Sequence, residues 1–213
     1  MANRTYGQYC GLARALEILG ERWGLLIVRD LLMAPKRFTD LQRGLPGIPS
    51  NVLTSRLKEL EQAGVVRRRV LPRPAGSIVY ELTEYGSELE DALIRFGRWG
   101  AKSLGSPGAD EVITPDSMTM ALRSTFRAEA AEGVRATYEL RLGEVTVNAR
   151  VRDGTVEAAA GPLPGADLVI QAGPGIRALM AGEITPAAAI EDGVVAIVGK
   201  RRLFDQFAKM FRI

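Results

Sequence analysis

The sequence predicts an α+β protein in two parts, and three observations carry that expectation. Up to about residue 103, apolar residues recur at helical spacing and are interrupted by a single pair of short strands. Ser103 to Pro115, SLGSPGADEVITP, then loses all periodicity in a run of Gly, Pro, Ser and acidic residues. Beyond it, short runs alternate as strands do, and further helical segments follow. The expected organisation is a domain over 1–104, a linker over 105–115 and a second domain over 116–213.

Within the first part, LARALEIL places Leu12, Ala15, Leu16 and Leu19 on one helical face, with Gly20 suited to end it. ERWGLLIVRDLLM turns Leu25, Val28, Leu31 and Leu32 inward and stops at Pro35. Thr39 with Gln42 forms a capping-box pattern behind the apolar Phe38. Leu45-Pro46-Gly47-Ile48-Pro49 cannot continue a helix, and Ser50 is placed to cap the next. That helix, 51–63, carries Leu53, Leu57 and Leu60 at i, i+4 and i+7 and ends at Gly64. Opposite the seam lie Asn51, Ser55, Lys58 and Gln62, with Thr54 and Arg56 on the flanks. Val65–Leu71 and Ile78–Leu82 read as strands, and Thr83 caps one long helix reaching about 103, with Leu89, Leu93, Phe96 and Trp99 as its stripe.

In the second part a helix is expected near 116–130. TYELRLG, EVTVNARVRDG, TVEAAAG, DLVIQAG and GVVAIVG read as strands, with turns at Arg141/Leu142/Gly143 and Arg152/Asp153/Gly154. IRALMAG, TPAAAIEDG and the amphipathic KRRLFDQFAKMF read as helices.

Composition removes several chemistries. With 213 residues, 46% of them hydrophobic, the chain can bury one large or two small cores. No apolar run reaches the roughly 18 residues of a membrane span. The start of the chain lacks a signal-peptide pattern, so a cytoplasmic location without membrane attachment is expected. Cys10 is the single cysteine and histidine is absent, which excludes an internal disulfide, a cysteine zinc cluster and imidazole-based acid–base or nucleophile pairs. No P-loop or G-x-S-x-G is present. The expectation is a protein that is not an enzyme and holds no metal or cofactor.

Charge is uneven. Residues 1–105 hold 16 Lys/Arg against 11 Asp/Glu, whereas 106–213 hold 12 against 14. Residues 36–73 alone carry 9 basic to 3 acidic, an electrostatic footprint for a polyanion or else a solvated basic face. The order helix, turn, helix, basic hairpin favours the polyanion. A helix laid in the DNA major groove needs a narrow polar face and a positive N-terminal end, which Asn51, Thr54 and Ser55 supply. Lys36, Arg37, Arg56, Lys58, Arg67, Arg68, Arg69 and Arg73 are spaced for backbone phosphates, Arg73 at a stiff tip between two prolines. Thr39 and Ser50, at the two helix starts, join them as DNA-facing candidates.

These residues resemble a known family. CGLARALEILGERWGLLIVRDLL, KRFTDLQRGLPGIPSNVLTSRLKELEQAGVVRR and YELTEYG are similar to the HxlR-type winged helix-turn-helix transcriptional regulators over about residues 9–103. The matching positions are Cys10, Trp23, Leu45–Ile48, and Leu53, Arg56, Leu57 and Leu60. The resemblance implies a homodimer built on the N-terminal helix and the helix after the wing, with Leu12, Leu16, Leu89, Leu93, Phe96 and Trp99 as its contacts. Such a dimer reads an inverted repeat on double-stranded DNA through helix 51–63 and wing 65–82. It also gives Cys10 two readings, a redox sensor or a small buried apolar residue.

The second part resembles sterol carrier protein 2-like domains, on Leu179 to Gly182, Pro186 to Ala189, Gly193 and Gly199. This implies helices over a five-stranded sheet that can enclose an apolar ligand, with Leu179, Leu203, Phe204, Phe207, Met210 and Phe211 as pocket candidates. The alternative is that these residues are simply core. Two functions follow from the two resemblances. One is a DNA-binding regulator modulated by a small apolar ligand. The other is a carrier for an apolar metabolite in which the winged helix is a dimer scaffold.

Overall fold

The computed structural model describes residues 5–72, 76–105, 107–108 and 110–213. The chain divides into two compact units, Met1–Leu93 and Ile94–Ile213.

The first unit runs α1 (Gly11–Leu19), α2 (Gly24–Met33), α3 (Phe38–Gly44), α4 (Ser50–Gln62), β1 (Val66–Val70), β2 (Ile78–Leu82) and α5 (Glu84–Ser87). It also takes in the first turn of α6 (Glu90–Ala101). Its core is made by Ile27, Val28 and Leu31 of α2, Leu41 of α3, and Leu53, Leu57 and Leu60 of α4; on α2 Ile27 is buried where the spacing predicts Leu25 and Leu32, and these two are half-buried. The loop residues Leu45 and Ile48 are buried with them. On α1 the buried residues are Ala13 and Leu19; Leu12 and Leu16 face outward.

Three local expectations are corrected. The cap of α3 lies two residues earlier than Thr39 and Gln42. Asp40 stands three residues after Arg37, and its carboxylate accepts the Arg37 N–H at 3.2 Å, an anion at the positive end of a helix. Ser50 does not cap α4 but opens it, because Pro49 takes the N-cap in extended geometry. The long helix after the hairpin is two helices. Thr83 does cap, accepting from Gly86 N at 3.0 Å, but α5 ends at Ser87 and α6 starts at Glu90. Gly86 and Ser87 are poor helix formers, and Gly86 is pressed against the Val65 carbonyl.

The second unit takes α6 from Ile94 onward, then α7 (Pro115–Thr125), a single 3-10 turn at Ala128–Ala131, β3 (Arg135–Leu142), β4 (Val145–Arg152), β5 (Thr155–Ala160) and β6 (Leu168–Ala172). α8 (Ile176–Ala181), α9 (Pro186–Glu191), β7 (Val195–Gly199) and α10 (Arg201–Met210) complete it. The helix expected over 116–130 stops at Thr125, because Phe126 is extended and pairs with Phe211. The five strands form one sheet in the order β5-β4-β3-β6-β7, with β3 and β6 parallel and every other pair antiparallel. The β4–β5 turn uses Asp153 and Gly154, both left-handed, as a two-residue hairpin requires. The turn after β3 falls at Gly143 and Glu144, not earlier, since pairing runs to Leu142↔Val145.

One face of this sheet carries Tyr138, Leu140, Val147, Ala149, Leu168 and Ile170 into a core shared with Leu122 of α7, Leu179 of α8 and Phe204, Phe207 and Met210 of α10. On the other face, the segment joining β5 to β6 crosses the sheet. The buried Glu139 carboxylate accepts from Leu163 N at 2.6 Å, and Asn148 Nδ2 donates to Gly161 O at 2.9 Å. Arg98 of α6 donates to the carbonyls of Ser124 and Phe126, satisfying the C-terminal end of α7.

Candidate nucleic-acid interface

The polar face of α4 is built by exclusion. Because Leu53, Leu57 and Leu60 are buried, Asn51, Thr54 and Lys58 are held exposed on the opposite side. The flanks are less free. Ser55 Oγ donates to Glu59 at 3.1 Å, and the half-buried Arg56 pairs with the same carboxylate. Thr54 Oγ1 is turned back onto Ser50 O. Asn51 and Lys58 are therefore the side chains best placed to reach outward. Arg37, Thr39 and Ser50 are exposed as well.

α4 ends and the wing begins in one joint. Gly64, at φ +74°, stands just past the helix; Gly64 N donates to Glu61 O and Val65 N to Leu60 O, closing the last turn. Thr83, on the far side of the hairpin, donates to Gly64 O at 2.6 Å through its hydroxyl and to Val65 O through its N–H. Lys36 adds a third strand's worth of pairing, exchanging both backbone hydrogen bonds with Tyr80.

The wing's charge is not bare. Glu81 lies opposite Arg67 in the register, and its nearly buried carboxylate accepts from Arg67 Nε at 2.8 Å and from Arg69 Nε at 2.7 Å. Hydrogen bonding by Arg69, and then by Arg67, holds its pKa below the usual carboxylate range, so the clamp stays ionised at neutral pH. Arg68, on the other face, lies over the Tyr80 ring. Glu81 and Tyr80 are functional-site residues that the sequence pattern alone does not single out. The signal for Glu81 was there, an acid at an inward position of a strand facing an arginine run. Arg73 lies outside the described residues.

The clamp carries a prediction. Glu81→Gln removes the carboxylate shared by two arginines, so DNA affinity at low salt should rise a few-fold and the log–log salt slope should steepen by about 1. Fluorescence anisotropy across a salt series checks it, and an unchanged slope would mean that the pair already gives up Glu81 for phosphate.

The remaining site residues fall elsewhere. Leu12 and Leu16 are exposed on α1, and Phe96 and Trp99 are exposed on α6, their rings stacked at 5.8 Å. Leu89 is half-buried and Leu93 is buried within the single chain, so neither is open to a second molecule as those four are. Cys10 is exposed in the single chain. It stands at the N-cap of α1, where the N–H groups of Ala13 and then Leu12 hold its thiol pKa below the ordinary value. Leu179, Phe204, Phe207, Met210 and Phe211 are packed in the core of the second unit, with Leu203 half-buried beside them. A cavity of about 420 Å³ lies away from them, open to solvent, at the sheet end near Gly143, Gln171 and Gly193. Among the described residues no cluster suits a metal ion, and no helix is long and apolar enough to cross a membrane.

A helix-turn-helix whose second helix presents a polar N-terminal face, followed by a basic two-stranded wing, defines a winged helix-turn-helix module. Residues 18–107 match the HxlR-like helix-turn-helix family. The HTH-type transcriptional regulator YvaP of Bacillus subtilis (strain 168), itself uncharacterized, is 40% identical over 89 residues, 42% of this chain and 82% of that protein. The HTH-type transcriptional regulator YodB of the same organism is 39% identical over 94 residues, 44% of this chain and 83% of that protein. The solved reduced form of YodB from B. subtilis is 34% identical, with 47% of this chain and all of that one covered at a TM-score of 0.41. The chain belongs to the HxlR-like helix-turn-helix family. The family match ends before β3, so it does not describe the five-stranded sheet.

Proposed function

We propose that the protein is a homodimeric transcriptional regulator that reads an inverted repeat through α4 and the β1–β2 wing. The observation that carries the reading is the exposed face of α4, with Asn51 and Lys58 held outward by the buried leucine seam beside a wing of three consecutive arginines. Dimerisation is supported by large apolar side chains left in solvent, Leu12 and Leu16 on α1 and the Phe96–Trp99 stack on α6. A twofold pair sets two recognition helices about one DNA turn apart.

Footprinting on the region upstream of the protein's own gene locates the site. On that duplex Asn51→Ala should lower sequence discrimination by about 1–3 kcal/mol, whereas Lys58→Ala should weaken binding to all sequences and reduce the salt slope by about 1. Binding that ignores sequence would favour the carrier reading. The exposed Cys10, with its lowered pKa, supports redox control of the same event, and peroxide that leaves both DNA affinity and thiol reactivity unchanged would remove it.

One observation favours ligand control through the second unit, read as sterol carrier protein 2-like. Five strands with helices packed on one face agree with that resemblance. Within the core, the Tyr138 hydroxyl is fully buried without a hydrogen-bond partner among the described residues, and desolvation raises its pKa to about 12. An apolar ligand with one polar atom would satisfy it, and would act on DNA affinity through unequal binding to two conformations.

A further inference from the structure

The helix α10 divides its charge and its apolar surface cleanly. Phe204, Phe207 and Met210 are buried, while Arg201, Arg202 and Lys209 are exposed and make no ion pair or hydrogen bond with the described residues. Taken at about 100° per residue, these three cations fall within an arc of about 100°. Asp205 is the one acid on that stretch of surface, and Lys200 stands at the N-cap just ahead of it.

The placement runs against local electrostatics. The N-terminal end of a helix carries positive potential and favours acids, yet the first turn of α10 holds no acid and begins Lys200-Arg201-Arg202. It also runs against its surroundings. Residues 106–199 hold 7 Lys/Arg against 13 Asp/Glu, a net of −6, whereas residues 200–213 hold 5 against 1, a net of +4. A face selected only for solubility would continue the acidic character of residues 106–199 or interleave both signs. A cationic stripe that breaks a local rule directly after the acidic stretch 106–199 is the footprint of an anionic partner.

We propose that the cationic face of α10 is a second DNA-contacting surface, which binds backbone phosphates beyond the segment read by α4 and the wing. This inference rests on the DNA-binding reading of the first unit. The occupant follows from charge complementarity: a chain already anchored on a duplex by one unit offers its other unit a high local concentration of phosphate. Two guanidinium groups and one ammonium on an exposed helix face, with no ion pair among the described residues, suit phosphate oxygens, and phosphate contacts carry no sequence preference.

The test uses the full chain and two duplexes, one limited to the footprint and one extended by about two helical turns on each side. The wild-type chain should bind the extended duplex roughly tenfold more tightly at low salt, with a log–log salt slope steeper by about 2 to 3. The triple variant Arg201→Gln, Arg202→Gln, Lys209→Gln should lose that gain while keeping wild-type affinity for the short duplex and wild-type thermal unfolding. Arg201→Lys with Arg202→Lys should retain it. Equal binding of both duplexes by the wild type, or a gain that survives the triple variant, overturns the proposal. Binding to phosphatidylglycerol vesicles through the same residues, with no effect of the flanks, overturns it in favour of a lipid surface. A wild-type chain that binds neither duplex removes the DNA-binding reading itself, and this inference with it.

Discussion

Gly86→Ala is expected to lower the stability of the first unit by about 2–3 kcal/mol and to abolish sequence-specific DNA binding at temperatures where the wild type is fully bound. An added Cβ would lie 2.1 Å from the Val65 carbonyl oxygen, with Leu82 Cδ2 at 3.3 Å. Both offending partners belong to the base of the wing, and the closer one is backbone, so no rotamer change relieves the contact. Helix propensity works in the opposite direction, since alanine in a helix is favoured over glycine by about 1 kcal/mol. The clash is the larger effect because it requires either β1 or α5 to shift. Gly100→Ala is the control. That helical position has nothing within 4 Å of an added Cβ, so it should be neutral or stabilise by up to about 1 kcal/mol. Denaturant unfolding of the two variants decides the matter, and equal stabilities would mean that α5 does not press on the wing.

Phe207→Ala should cost the second unit about 3–5 kcal/mol, the range for a fully buried aromatic. Phe207 is 0% exposed, stacked on Phe211 at 4.6 Å between centroids and tilted against Tyr138 at 5.5 Å. Its removal leaves an apolar void beside the Tyr138 ring, whose hydroxyl is buried without a partner among the described residues. A small phenol should fill that void better than benzene does, because it alone brings a partner for the hydroxyl, and its binding should raise the melting temperature in proportion to concentration. Wild-type stability in the variant would show that α10 is not anchored through this residue. Equal rescue by benzene and phenol would show that Tyr138 does not face the space.

The parts of this molecule visible in its sequence are those governed by one short-range rule. The seam Leu53, Leu57, Leu60 is a helical period, and the five strands of the second unit are alternations closed by glycine turns; both are written locally. What escaped reading depends on competition or distance. Thr39 and Asp40 both offer caps to the same helix, and the carboxylate at the third position is the one that reaches back to the Arg37 N–H. Ser50 was expected to cap, but Pro49 holds the extended N-cap geometry and carries Ser50 into the helix. The break after Ser87 follows from Gly86 meeting Val65, a contact across 21 positions of sequence. Glu81 is the instructive omission at the site. Spacing alone presents its partners Arg67 and Arg69 as separate phosphate contacts, and only the strand register reveals that they share one carboxylate. Cys10 differs again. Its exposure depends on which residues of α1 face the core, and that face is set by Ala13 and Leu19, not by Leu12 and Leu16.

The joint at Gly64 and Val65 limits how this reading head can diversify. The same two peptides close α4, start β1 and receive Thr83 from the far end of the hairpin. A residue gained or lost there would rotate the helix by about 100° and exchange the two faces of the strand at once. Length is thus frozen between Gln62 and Val66, and change in DNA preference is channelled into substitution at outward positions such as Asn51, Thr54 and Lys58. Descendants of this chain can acquire new targets by altering letters, while the spacing between the letters stays inherited.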